Sequence, residues 1–294
     1  MDAQTLIQEI YYAYRGKGAS KVPVWGTEKS NTALAIANRK KNEWARDPKQ
    51  KWSSNFKSDI TAVAQPGTVA TSGTTALVGT STYFTDYAVG DTITVSGETA
   101  RTIATITDNT HLTVTVAFSN TASAKTFTRR PIIAAGVQEY ALHRSFFMPS
   151  DSAVVRLSSQ DVPFTFMTPE KRTGGGVYIY GRFPKYLTFY TDIAAGNQLI
   201  GGQLLVPGYY IPSDLANATD LVPIDDPNWL VYATAAELAR NDPAKEDEFP
   251  NLLGMANQLY KQMVDANRDT GYLQGSLTMP TSVPQIGSYD DWSW

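Results

Sequence analysis

Few residues in this chain have the chemistry for catalysis or metal binding. There are two histidines, His111 and His143, and no cysteine. The lack of Cys excludes disulfides, thiolate nucleophiles and Cys-based zinc sites. Both histidines fall in strand-like segments with no third ligand type nearby. They read as structural, with a metal or catalytic role the weaker alternative. Two acidic pairs, Asp225-Asp226 and Asp290-Asp291, could serve as the carboxylates of a glycosidase. The first pair sits at a helix start, where capping explains it, and the second on a tail, where solubility explains it. Gly174-Gly175-Gly176 lacks the Lys-Ser/Thr and the following helix of a phosphate loop, so it reads as a hairpin loop. There is no nucleophile elbow and no His-Glu-x-x-His. The run Arg39-Lys40-Lys41 could meet phosphate, but a solvated helix face is the simpler reading. The expectation is a protein that is not an enzyme and takes no cofactor and no metal.

Composition narrows the class further. The chain has 294 residues and a formal net charge of −3. That length permits one large or two smaller domains with a sizeable core. The charge carries no footprint for nucleic acid or for a membrane surface. The start, Met1-Asp2-Ala3-Gln4, lacks the basic and apolar regions of a signal peptide, and no apolar run reaches spanning length. A protein assembled in the cytosol, with no membrane partner, is expected.

The elements that must position these residues change character along the chain. Leu6, Ile7, Ile10, Tyr11 and Tyr14 recur at helical spacing, and Gly16 and Gly18 end that helix. A second helix is expected from Ser30 or Asn31 through Leu34, Ile36, Ala37 and Trp44 to Asp47-Pro48, with Arg39, Lys40 and Lys41 on its exposed side. From Gly67 to Thr128 about a third of the residues are Thr. Thr92–Val95, Thr102–Ile106 and Leu112–Val116 alternate as half-buried strands, separated by turn chemistry at Ser96-Gly97-Glu98 and Asp108-Asn109-Thr110. Pro66-Gly67 precedes this segment and Arg129-Arg130-Pro131 closes it, so it reads as a small antiparallel β barrel or sandwich inserted into another domain. A second β region of longer strands follows, with candidates Glu139–Phe147, Ala153–Leu157, Val162–Met167, Gly176–Tyr180, Tyr186–Tyr190 and Gln203–Tyr210.

The last third turns helical. Asp226-Pro227 is a strong start signal, and Leu230, Val231, Ala235, Leu238 and Ala239 make one stripe, in which Leu230, Ala235 and Leu238 are the expected packing seam. Asn241-Asp242-Pro243 breaks this helix. Another carries Phe249, Leu252, Leu253, Ala256, Leu259, Tyr260 and Met263 and is expected to end near Asp269-Thr270-Gly271. Beyond it Pro280 and Pro284 argue against a helix. The aromatics Tyr289, Trp292 and Trp294 are poor residues for a purely solvated tail. The fold class is α+β: a four-helix bundle from both ends of the chain, a β-rich middle with its insertion, and an extended C-terminal arm. The expected divisions are a core of residues 1–66 and 129–270, an insertion of 67–128 and an arm of 271–294.

In this order of elements the chain resembles the head-to-tail adaptor, or connector, proteins of tailed bacteriophages. The resemblance is carried by the hairpin at Gly176–Tyr180 and Pro184–Tyr190, the segment Pro207-Gly208-Tyr209-Tyr210-Ile211-Pro212, and the stretch from Pro223 to Arg240. Tyr83-Phe84-Thr85, Val89–Val95, Arg101-Thr102-Ile103 and Leu112-Thr113-Val114 look like the small β modules of phage neck, tail and baseplate proteins. Family adaptors are shorter and often lack such an insertion. The resemblance implies a ring of copies, usually a dodecamer, in the virion neck. That ring docks on the portal protein, receives a downstream neck or tail protein and continues the channel for passing double-stranded DNA without sequence-specific binding. It also implies assembly in the host cytoplasm and a portal-binding arm anchored by Tyr289, Trp292 and Trp294. The rival reading is a carbohydrate-binding or depolymerising tail or baseplate protein, which needs an exposed aromatic platform or a carboxylate pair in a cleft.

Overall fold

The computed structural model describes residues 1–16, 22–59, 63–150, 152–157, 160–167, 176–181, 184–190 and 193–277, with only the backbone of 152 and 269–277. The fold is α+β, and the chain divides into two compact units. Met1–Ser54 and the chain from Asp214 onward form a helical unit, and Asn55–Ser213 forms a β unit.

Helix α1 spans Ala3–Arg15. The Asp2 carboxylate accepts from the Thr5 amide at 2.7 Å and caps it, and Gly16, at φ 78°, closes it. Its inward face is Leu6, Ile7, Ile10, Tyr11 and Tyr14, as the spacing requires. Helix α2 spans Glu28–Ala45 and starts at Thr27, three residues before the expected Ser30. Its buried stripe is Ser30, Ala33, Ala37, Lys41, Trp44 and Ala45, not Leu34 and Ile36. Helix α3 spans Pro227–Arg240, with Asp226 accepting from the Asn228 amide at 3.0 Å and Pro227 in its first turn. A 3-10 turn at Glu246–Glu248 leads into α4, Phe249–Leu277.

The expected helix end at Asp269–Gly271 is therefore corrected: α4 runs on to Leu277. One glycine inside a helix costs only about 1 kcal/mol relative to Ala, too little to stop it. Helix α3 packs against α1, α2 and α4, and buries small residues, Thr234, Ala235, Ala236 and Ala239, among Trp229, Leu230 and Val231. An aromatic cluster joins the rest. Trp44 stacks on Trp52 at 5.1 Å, Trp52 meets Tyr260 edge-on at 5.9 Å, and Trp229 lies 5.9 Å from Tyr260.

Among its described residues the β unit holds sixteen short strands. After β1 (Phe56–Lys57) come β2 (Thr68–Ser72), β3 (Ala76–Thr80), β4 (Thr92–Val95), β5 (Arg101–Ile106), β6 (His111–Val114), β7 (Thr121–Lys125) and β8 (Phe127–Arg130). Strands β2 to β8 form one antiparallel sheet in the order β7-β2-β3-β6-β5-β4-β8. The two edge strands, β7 and β8, are joined by Thr126 alone. Laid flat, seven strands would hold those edges about 29 Å apart. One residue spans only about 3.5 Å. The sheet must therefore curl until its edges meet. Alternation then places Val69, Leu77, Ile93, Val95, Ile103, Leu112, Val114 and Phe127 inside with Phe84 and Phe118, and leaves most threonines outside. Gly67 enters the sheet at φ +84°, where an added Cβ would also strike the Thr80 carbonyl oxygen. Arg129 and Arg130, read from sequence as closing residues, belong to β8 itself.

The remaining strands are β9 (Glu139–Ala141), β10 (Phe146–Pro149), β11 (Ser152–Arg156), β12 (Asp161–Thr165), β13 (Val177–Tyr180), β14 (Tyr186–Phe189), β15 (Gln203–Leu205) and β16 (Gly208–Tyr210). Together with β1 they make, among the described residues, three three-stranded sheets: β1-β16-β10, β12-β11-β15 and β13-β14-β9. These strands are three to five residues long, apart from the two-residue β1; β11 has its expected five residues and the others are shorter than expected. Glu139–Phe147 splits into β9 and β10, and Gln203–Tyr210 splits at Pro207, which has no amide hydrogen to continue a ladder. A second core, separate from that of the curled sheet, gathers Tyr140, Phe146, Val155, Phe164, Val177, Leu187, Phe189 and Tyr210 among others.

Candidate functional site

His143 lies between β9 and β10, not in a strand, and is buried. Its Nε2 is 2.9 Å from the Ala64 carbonyl oxygen, so it donates there. Its Nδ1 then accepts from the Ser145 amide at 3.0 Å and from the Ser145 hydroxyl at 2.6 Å. One neutral tautomer satisfies the whole ring. Burial holds its pKa down at about 4. His111 opens β6 on the surface, its Nδ1 3.1 Å from the Asp108 carboxylate. Asp108 caps a turn: the Thr110 amide bonds its carboxylate and lowers its pKa to about 2. Among the described residues no group of three or more His, Asp and Glu is placed to hold a metal ion.

In the Arg39-Lys40-Lys41 run only Arg39 is solvated as expected; Lys40 is half-buried and Lys41 is interior. Arg39 and Lys40 both reach Glu237 of α3, at 2.8 and 3.4 Å. Lys41 is fully buried: it stands four residues after Ala37 and three before Trp44, on the packed stripe. Its ammonium meets Asp214 Oδ1 at 3.1 Å and Asn42 Oδ1 at 3.0 Å. Desolvation lowers its pKa, and Asp214 offsets part of that. Asn38 clamps the same segment, accepting from the Leu215 amide at 2.8 Å and donating to its carbonyl at 2.9 Å.

A second charged arrangement links the curled sheet to the rest of the β unit. Arg129 and Asp91 are both buried and paired at 2.7 Å. Arg129 also donates to the Ala141 carbonyl at 2.6 Å and lies 5.0 Å over the Tyr87 ring. Asp91 accepts from the Ala88 and Ile132 amides at 2.9 and 3.1 Å. Beside it, Arg130 bonds Gln203 and Asp59. Arg144 grips Asp86 through two bonds, at 2.7 and 3.2 Å, and lies 3.6 Å over the Tyr83 ring.

Of the expected seam, Leu230 and Ala235 are fully buried and Leu238 is half-buried. Asp226 caps α3, as its place before Pro227 indicates. Gly174 and Gly175, Asp290 and Asp291, and the anchors Tyr289, Trp292 and Trp294 lie outside the described residues. A group that the sequence reading missed is a row of four tyrosines, Tyr190, Tyr178, Tyr180 and Tyr186, with neighbouring ring centroids 4.9, 5.9 and 5.6 Å apart. The signal was present: Tyr alternates with Val, Ile and Leu in both strands of one hairpin, which puts the tyrosines on the face away from the core. No helix among the described residues is long and apolar enough to cross a membrane. Compared with known proteins, the chain matches no family model and no curated protein sequence.

Proposed function

We propose that this chain is a structural virion protein, a head-to-tail adaptor that forms a ring in the neck of a tailed phage. The observation that carries the reading is the order of parts: both ends of the chain build one helical unit, the β unit lies between them in sequence, and an Ala-rich helix packs against the other three. In this reading α1 to α4 form a four-helix bundle centred on α3, and residues 67–128 are a small barrel carried as an insertion. The ring, a dodecamer, docks on the portal, presents a platform to the next neck or tail component and lets double-stranded DNA pass without reading its sequence. Assembly takes place in the host cytoplasm. The residues after α4 form the arm, with Tyr289, Trp292 and Trp294 as anchors. Large aromatics bury much area for little lost rotamer freedom, and repetition around a ring multiplies weak anchors through effective concentration.

The test is truncation after Leu277, the last residue of α4. The truncated chain is expected to keep its circular dichroism and thermal midpoint and to lose decoration of purified portal rings in negative-stain images. The double change Trp292→Ala and Trp294→Ala should weaken decoration in the same direction. Equal decoration by the truncated chain removes the arm as anchor. A full-length chain that ignores the portal ends the adaptor reading.

A further inference from the structure

The curled sheet and the strands beside it have separate cores. Much of what fastens one to the other is polar and converges on a short loop, residues 142–145 between β9 and β10. Arg129 of the curled sheet donates to the Ala141 carbonyl just before this loop, and Arg144 within it grips Asp86 and covers the Tyr83 ring. His143 donates from Nε2 to the carbonyl of Ala64. The next residue, Gln65, donates from its amide to the Phe127 carbonyl of β8 at 2.8 Å. Ser145 anchors the loop on its other side, its carbonyl accepting from the Ile211 amide at 2.7 Å. His143 thus stands where the chain enters the curled sheet.

We propose that His143 is the catch of an acid-opened joint: the neutral ring fastens the curled sheet to its neighbours, and protonation frees that sheet to swing as a folded unit on its two chain connections. The bonding around the ring carries the argument. With Nε2 donating to a carbonyl, Nδ1 must accept, and two donors of Ser145, its amide and its hydroxyl, point at it. An imidazolium donates from both nitrogens. The hydroxyl can turn to accept, but the amide is a donor only, so the ring or the loop must move. Packed around the ring are the Arg129 guanidinium of β8, which Asp91 pairs, and the Tyr210 ring of β16 at 5.8 Å. Arg144, the next residue, is paired with Asp86. Among the described residues no carboxylate bonds the ring to hold an added charge. Burial foremost, with the Arg129 charge, favours the neutral form. This inference goes beyond the adaptor reading and rests on different residues.

The experiment is amide hydrogen exchange on the full chain at pH 7, 5 and 4, each rate corrected for the intrinsic rate at that pH. The amides of Gln65, Ile132 and Ser145 report the joint. Those of Val114 and Thr115, bonded to the Thr75 and Thr102 carbonyls, report the curled sheet itself. With the closed ring titrating at about 4 and the open one at the usual 6.5, protection of the joint amides should fall about a hundredfold from pH 7 to 4. It should stay below that of Val114 and Thr115, and small additions of urea should hardly change it, since a swing exposes little surface. His143→Gln keeps one donor and one acceptor without a titrating ring and should hold most of the protection, which separates the histidine from the carboxylates Asp86 and Asp91. Nitrogen-15 NMR of the two histidines in the parent chain gives a reading that needs no variant. There His143 is expected as the Nε2–H tautomer at pH 7, taking up its proton only near pH 4. Joint and sheet amides that share one protection and one urea dependence overturn the proposal, as does a fall that His143→Gln retains in full. So does a His143 ring that titrates at its usual value in the folded chain.

Discussion

The helical unit buries Lys41 and the β unit buries Arg129, and the two cations are held in opposite ways. Lys41 reaches outward to Asp214, whose side chain is 63% exposed. Its partner thus stays in water, and burial has already lowered the lysine's affinity for its proton. Arg129 has no such outlet. A guanidinium does not deprotonate, and its partner Asp91 is as buried as it is. Asp91 in turn is held by two backbone amides, so the pair is woven into the link between the curled sheet and its neighbours. Lysine can lose its charge or its partner at small cost, whereas a buried arginine makes its partner indispensable.

That contrast predicts its own largest effect. Asp91→Ala leaves Arg129 buried and uncompensated, at a cost of about 3–5 kcal/mol. Urea unfolding should show the midpoint falling, and Arg129→Met added to Asp91→Ala should restore much of it. The same logic bears on excising the curled sheet. Replacing residues 68–128 by a Gly-Ser linker removes Asp91 and Asp86 and keeps Arg129 and Arg144. The excised chain should fold only when Arg129→Met accompanies it. A stable Asp91→Ala single variant would break the contrast.

The second effect comes from His143, close enough to Arg129 for that charge to oppose its protonation. Its folded pKa, about 4, lies below the usual value of 6.5. The neutral form is thus the folded form, and its contribution is complete above pH 6.5. As pH falls toward 4 the unfolded chain takes up the proton first, and roughly 3 kcal/mol is lost. His143→Gln should flatten this slope in a plot of unfolding free energy against pH. An unaltered slope would mean that carboxylates elsewhere carry it.

The smallest effect belongs to the lysine. Lys41→Met fills the same space and leaves Asp214 in solvent, so stability should change by less than about 1 kcal/mol in either direction. A loss as large as that of Asp91→Ala, measured in the same urea series, would show that the two cations are alike after all.

Local chemistry made much of the fold legible. Gly16 at the end of α1, and Asp226-Pro227 with Asn241 around α3, mark helix ends through groups within four residues of each end. The alternation of Thr with Ile, Val and Leu marked β4, β5 and β6 because a pleat has a period of two. The hairpin of β13 and β14 was visible for the same reason. What its outer face gathers was less visible, because Glu139 arrives on β9 from earlier in the chain.

Sequence by itself determined where α3 starts, which strands alternate, and that the chain carries no thiol. Only the tertiary structure decided that Lys41 is interior, that Arg129 answers Asp91, that β16 is flanked by β1 and β10, and that four tyrosines and a glutamate share a face. The physical reason is range. Caps, turns and periodicity act within a few residues, so they are written in consecutive letters. Burial of a charge depends on what packs above it, and sheet order on pairings between distant segments, which no local pattern encodes.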